Sequence, residues 1–180
     1  MNWWLIGVKR GGCMSNNESE SGHLTGAYSG PIEFANMVRE ALASAAREGW
    51  SSMVWSDANF ADWPLGERAV VESLNAWAGK GRHLLMLAHS YDSVVRLQPR
   101  LVTWRKTWGH IIECRLCRSR DASEMPSALW SPHWAMQRLD VVRSTGIAGL
   151  EPQRRVMLKE ELDECHRQSS PGFAASTLGL

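Results

Sequence analysis

Between Trp50 and Gly109 the chain writes two βα units in succession, and no other feature constrains its fold as strongly. Trp50-Ser-Ser-Met-Val-Trp-Ser-Asp57 is a short apolar run that ends in a polar loop. An amphipathic stretch from Glu67 to Lys80 follows, and then His83-Leu-Leu-Met-Leu-Ala-His89, whose apolar positions are continuous rather than alternating. Uninterrupted apolar strands separated by helices belong to a parallel sheet covered on both faces. The expected fold is therefore α/β: a single domain with a mostly parallel central sheet flanked by helices, and short additional strands in the C-terminal half. Ligands of such sheets sit at the carboxyl ends of the strands, so the search for a site begins there.

The remaining elements follow from caps and periodicity. Gly30-Pro31 opens a helix whose apolar positions are Ile32, Met37, Val38, Ala41, Leu42 and Ala45, and Gly49 stops it. Strands are expected at 52–56, 83–89 and 110–116, as mutual neighbours. Val70, Val71, Leu74, Trp77 and Ala78 form the buried stripe of the second helix. Pro99 either kinks a third helix or starts a fresh one that ends at Trp108. Leu129-Trp130 and Trp134 to Leu139 read as short strands around the Ser131-Pro132-His133 turn, with Ile147-Ala148 as another. Pro152 opens a last helix with Val156, Leu158, Leu162 and Cys165 as its apolar set.

At 180 residues the chain has the length of one domain, expected over 30–168 with an extended tail at 169–180. Residues 1–29 read as a disordered or mis-called segment: Trp3-Trp4-Leu5-Ile6-Gly7-Val8 precedes Lys9-Arg10, the reverse of a signal peptide. Residues 1–13 read as an over-called start, with Met14 as the true one; a membrane-facing Trp-Trp tail is the alternative. A net charge of +1 excludes a strong general attraction to nucleic acid or anionic membrane. No apolar run approaches the roughly 18 residues needed to span a bilayer, so no membrane partner is expected. Four cysteines do not make a disulfide framework and point to reduced thiols in a cytoplasm. Ten tryptophans against two tyrosines are unusual, and their plain account is core filling.

Four constellations are candidates for chemistry. Asp57 and Asp62 follow the first strand, where paired carboxylates could hold Mg²⁺ or divide acid and base roles. The plainer account has Asp57 capping its loop and Asp62 the turn before Trp63-Pro64. His89, Ser90 and Asp92 end the second strand and His110 enters the third, a set that invites nucleophilic chemistry. Ser90 lacks a Gly-x-Ser-x-Gly setting, and helix capping explains it better. Cys114 and Cys117 follow His110 at metal-ligand spacing, with Cys165-His166 or His133 to complete a set. A strand, however, lacks the turn that a Cys-x2-Cys pair needs, and no cofactor is expected. Finally, Arg96, Arg100, Arg105, Lys106, Arg115, Arg118 and Arg120 are opposed between 96 and 120 only by Glu113. Interleaved with Trp104 and Trp108, this stretch offers Arg100, Trp104, Arg105 and Trp108 as binding candidates for single-stranded nucleic acid. A solvated basic helix face is its commoner meaning.

The order helix, strand, helix, strand, helix, strand and then short strands resembles one half of a phospholipase D-like domain over residues 32–150. Val70-Val-Glu-Ser-Leu-Asn-Ala-Trp-Ala-Gly-Lys-Gly-Arg-His-Leu-Leu-Met-Leu87 looks like that family's helix leading into a strand. The family's His-x-Lys-x4-Asp motif is absent: none of the six histidines has a lysine two residues later. The resemblance thus implies the fold without the chemistry, and pairing with a second half. The expectation is a non-catalytic binding or interaction protein of bacterial, cytoplasmic type. Its partner would be a second copy or another protein, met through an apolar patch that includes a tryptophan. The alternatives are a metal-dependent phosphoesterase or nuclease-like enzyme using the strand-end acids, and a single-stranded nucleic-acid binder.

Overall fold

The structure, a computed structural model, describes residues 25–174. The expectations for residues 1–24, including the choice between Met1 and Met14, lie outside the described residues, as does the tail beyond 174.

Helix α1 (Pro31–Glu48) begins at a proline preset for a first turn and ends at Gly49, which adopts a left-handed φ of 69° and donates its N–H to the Ala45 carbonyl. Strand β1 (Gly26–Tyr28) precedes it and β2 (Ser52–Asp57) follows. Then come α2 (Arg68–Trp77), β3 (His83–Ala88), two short helices α3 (Asp92–Leu97) and α4 (Pro99–Thr107), and β4 (Ile112–Leu116). Pro99 starts a fresh helix rather than kinking one. A short turn of helix, Ala122–Glu124, leads to β5 (Ser127–Trp130), β6 (Ala135–Asp140) and β7 (Thr145–Gly149). Helix α5 (Pro152–Arg167) and a two-residue β8 (Ser170–Pro171) complete the described chain. Thus β1 and β8 join the sheet from outside the 30–168 span expected of the domain.

The described strands form one sheet in the order β1-β7-β6-β5-β2-β3-β4-β8. The α/β class holds, and β2, β3 and β4 are parallel neighbours, as the two βα units require. The expectation of a mostly parallel sheet does not hold: β5 pairs antiparallel with β2, and β6, β7, β1 and β8 also pair antiparallel. The cause lies in connection length. A parallel crossover needs a dozen residues or more. Only 131–134 separate β5 from β6, and 141–144 separate β6 from β7. These turns force a meander, which docks on the free side of β2. Strand β2 still reads as continuously apolar because both of its faces are covered.

On one face Phe34, Val38 and Leu42 of α1 and Leu74 and Trp77 of α2 pack against Met53, Trp55 and Met86. On the other, Leu158, Leu162 and Cys165 of α5 pack against Val54, Leu85 and Leu87. Two residues expected in apolar stripes, Ile32 and Val156, are exposed at 76% and 56%. Phe34 fills the first place instead. Trp50, Trp55, Trp63, Trp77, Trp104 and Trp134 are buried. At about 200 Å² of ring each, such burial contributes on the order of 5 kcal/mol per residue as an upper bound. Trp108 and Trp130 are half-buried, and among the described residues no tryptophan joins the exposed apolar side chains Leu139, Val141 and Val142. Trp130 does line a shallow surface groove with Pro132, Pro152, Arg155 and the exposed Val156.

Gly146 on β7 lies beneath the Tyr28 ring: a Cβ there would stand 2.3 Å from both the Gln137 carbonyl oxygen and the Tyr28 hydroxyl. Gly146→Ala is expected to lower stability by about 1–3 kcal/mol through overpacking. A urea titration measures this, and an unchanged midpoint would contradict the close packing of β1 on β7.

Candidate functional site

The register of the sheet lines up one row of residues at the carboxyl ends of the parallel strands. Leu116 lies opposite Ala88, and Ala88 opposite Asp57. One step on from the Ser56–Ala128 pair, Asp57 meets Ser127; Ser127 pairs with Arg138, Arg138 with Gly146, and Gly146 with Tyr28. Residues in one cross-strand row point to the same side of the sheet. The polar side chains of Asp57, Ser127 and Arg138 therefore gather beneath α1.

They form a closed cluster. One carboxylate oxygen of Asp57 accepts the N–H groups of Asn59 at 3.0 Å and Phe60 at 2.8 Å. The other accepts from the Ser127 hydroxyl at 2.6 Å and from Arg138 Nη2 at 2.8 Å. Arg138 Nε donates to Ser127 Oγ at 3.0 Å, Nη2 also reaches Asp62 Oδ1 at 3.2 Å, and Nη1 donates to the other Asp62 oxygen. The Phe34 ring stacks on the guanidinium with its centroid 4.2 Å away. The side chains of Arg138 and Asp57 are 1% and 4% exposed, whereas that of Asp62 is 46% exposed. Burial works against the charge on Arg138, but the hydrogen bonds and attraction of Asp62 and Asp57 outweigh it and raise its pKa further. Burial also pushes the Tyr28 phenol well above its ordinary value, with Arg138 opposing. Its hydroxyl is buried without a hydrogen-bond partner.

The chemistry open to this arrangement is narrow. Asp57 accepts four hydrogen bonds and has no lone pair left for base catalysis. Ser127 gives its proton to Asp57 and lies beside a cation, and among the described residues no histidine hydrogen-bonds to it. The guanidinium stands where a divalent cation between two carboxylates would stand. Among the described residues no group of three or more His, Cys, Asp or Glu side chains could hold a metal. Asp57 does cap its loop, as the plainer account held, and it carries an ion pair besides.

The other sequence candidates disperse. His89 follows Ala88 and hydrogen-bonds through its backbone N–H to Ala58, but no hydrogen bond or ion pair joins its ring to Asp57 or Asp62. His110 precedes β4 and lies at the opposite ends of the strands, beside the Leu84–Ile112 pair. The convergence of Asp57, Asp62, His89 and His110 therefore fails, because Asp57 is level with Leu116 and His110 lies six residues before it. Ser90 Oγ accepts the Asp92 N–H at 3.1 Å, a turn just ahead of α3, whose N-cap position is held by Tyr91. Cys114 packs with the α1–α2 face and Cys117 with the α5 face. The two thiols thus belong to different sides of the sheet and are not brought together. Burial raises the pKa of all three described cysteines, that of Cys117 to about 11.

Arg100 and Trp104 line a groove of about 390 Å³ between α2 and α4, with Val71, Asn75, Thr103 and Thr107. Trp108 donates its indole N–H to Asn75 at 3.3 Å. Arg105 instead turns into the core, 6% exposed. The basic stretch is thus divided: Arg105 is internal, Arg115 is occupied by Glu113 and Ser169, and no continuous basic face with an exposed tryptophan forms.

Arg138 and Ser127 were not among the sequence candidates. The signal for Arg138 was present in strand parity. In Trp134-Ala-Met-Gln-Arg138 the period of two sets the arginine on the same face as two large apolar residues. A charge there needs a buried carboxylate.

Neither a protein-family model nor a curated protein sequence matches the chain. Among solved structures it is similar to TrmBL2, an archaeal chromatin protein whose structure is described as showing a novel mode of DNA binding. The TM-score is 0.62 at 13% identity, and the match covers 87% of this chain and 57% of that one. The likeness is one of fold, to a protein of which this chain spans just over half the length.

Removing Arg138 strands a buried carboxylate, which typically costs about 3–5 kcal/mol. Asp62 is half in water, where an ion pair is worth about 1 kcal/mol or less. Arg138→Met is therefore expected to lose several times more stability than Asp62→Asn in chemical denaturation. Equal losses would contradict the inequality of the two carboxylates.

Proposed function

We propose that this chain is a non-catalytic binding domain, built as a phospholipase D-like half-domain whose catalytic position has been given to a structural ion cluster. The observation that carries this reading is the Asp57–Ser127–Arg138–Asp62 arrangement at the carboxyl ends of the parallel strands. That position is where a sheet of this kind presents reactive groups. Here its groups are consumed by one another, and its single half-exposed member, Asp62, is tied to Arg138. A metal-dependent phosphoesterase would need carboxylates free to bind a cation, and neither acid is free.

A nucleic-acid partner is the second reading. It draws on the fold likeness to a protein described as DNA-binding. The exposed Arg96, Arg100 and Lys106 are its contacts on this chain. The division of the basic stretch leaves it the lesser of the two.

One pair of measurements tests the proposal. Bis(p-nitrophenyl) phosphate with Mg²⁺, Mn²⁺ or Zn²⁺ is expected to show no turnover above buffer. Turnover that disappears in Asp57→Asn would overturn the non-catalytic reading. A thermal-shift screen over metals, nucleotides, small organic acids and oligonucleotides is expected to yield a stabilising ligand, because binding to the folded state raises its melting temperature. An oligonucleotide shift that fades with added salt, as counterion release demands, would move the second reading to first place.

A further inference from the structure

A second buried arginine has no counter-charge among the described residues, and the strap that follows α5 lies over it. After α5 the chain turns at Ser169, whose hydroxyl oxygen and carbonyl accept from Arg115 at 2.9 and 2.8 Å. Ser170–Pro171 pairs with the edge of β4, and Gly172 donates its N–H to the Cys114 carbonyl at 3.0 Å. Phe173 then folds over the sheet edge. Its ring stacks on Tyr91 at 5.0 Å and 20°, and Tyr91 stacks in turn on Phe60 at 6.4 Å and 17°. The guanidinium of Arg105 lies 4.6 Å from the centroid of the Phe173 ring.

Arg105 donates from Nε to Cys114 Sγ at 3.1 Å, while its Nη1 is buried with no hydrogen-bond partner. Among the described residues it takes part in no ion pair. Arg138, equally buried, has two carboxylates. A buried cation left without an anion is costly, and an entering carboxylate would remove that cost. The ring stack beside it offers a flat apolar surface one ring thick.

We propose that Phe173 is a displaceable plug in a binding site for a planar aromatic carboxylate. The ligand's ring takes the place of Phe173 on Tyr91, and its carboxylate accepts from Arg105. The strap is suited to leave. Strand β8 is two residues long, and Phe173 holds φ at 44°, a left-handed value uncommon for a residue with a side chain. A two-residue pairing on a sheet edge opens at small free-energy cost. The slot adjoins the carboxyl ends of β3 and β4, where open α/β sheets receive ligands. This inference rests on the binding reading above but fails separately from it: phosphodiester turnover would overturn that reading and leave the slot intact.

Titration calorimetry with 2-naphthoate on the wild-type chain and on Phe173→Ala tests it, with the uncharged 2-naphthamide as control. Wild-type affinity is reduced by the fraction of molecules whose strap is displaced, so removing the ring removes that reduction. Phe173→Ala is expected to bind 2-naphthoate about tenfold tighter than wild type or better, and to prefer it over the amide by a similar factor. Equal affinity of the two proteins, equal affinity for acid and amide, or no binding by the variant would each overturn the proposal. Near-UV circular dichroism checks that the variant keeps its fold. Phe173→Leu, which retains apolar volume but not the ring stack, replaces it if it does not.

Discussion

A guanidinium buried between two carboxylates joins the two halves of this sheet. The parallel half, β2, β3 and β4, and the antiparallel meander, β5, β6 and β7, meet at the β2–β5 pairing. Asp57 stands on one side of that seam, and Ser127 and Arg138 on the other. Desolvating these charges costs several kcal/mol each, and the cost is offset only while every hydrogen bond is in place. A slip of one residue along β6 would carry Arg138 to the opposite face and leave Asp57 buried alone. The cluster therefore specifies register as well as adding stability, and it reaches α1 through Phe34 and the loop after β2 through Asp62.

The same requirement decides what the crest of the sheet can do. Two carboxylates and a serine at strand ends look like catalytic material until their partners are counted. Arg138 donates four hydrogen bonds to hold them, and nothing is left over for a substrate. Arg105 is the counterpart: as deeply buried, but holding a thiol and the face of a phenylalanine ring in place of acids. One arginine closes a site, and the other leaves one wanting an anion.

The parallel strands were legible in the sequence because their signal is local, an apolar run followed by an amphipathic helix with a glycine stop. The antiparallel meander was only partly legible. Leu129-Trp130 and Trp134 to Leu139 could be recognised as extended, but which neighbour they would pair with depends on the seam at β2. Asp57 was found because it ends a strand, and Asp62 because it lies in the loop that follows. Their partner was missed because it lies 81 residues from Asp57, in a strand whose parity carries the signal and whose composition does not. His110 and the Cys114–Cys117 spacing misled for a related reason. Proximity along the chain says nothing of which end or which face of a strand a side chain occupies.

The claim that the Asp57–Arg138 pair couples the two halves of the sheet is tested most directly by a double-mutant cycle. Stabilities of the wild type, Asp57→Asn, Arg138→Met and the double variant would be measured by urea denaturation. The account predicts a coupling energy of about 2–3 kcal/mol, with the double variant more stable than the sum of the single losses implies. Losses that add to within about 0.5 kcal/mol, as for independent sites, would contradict it.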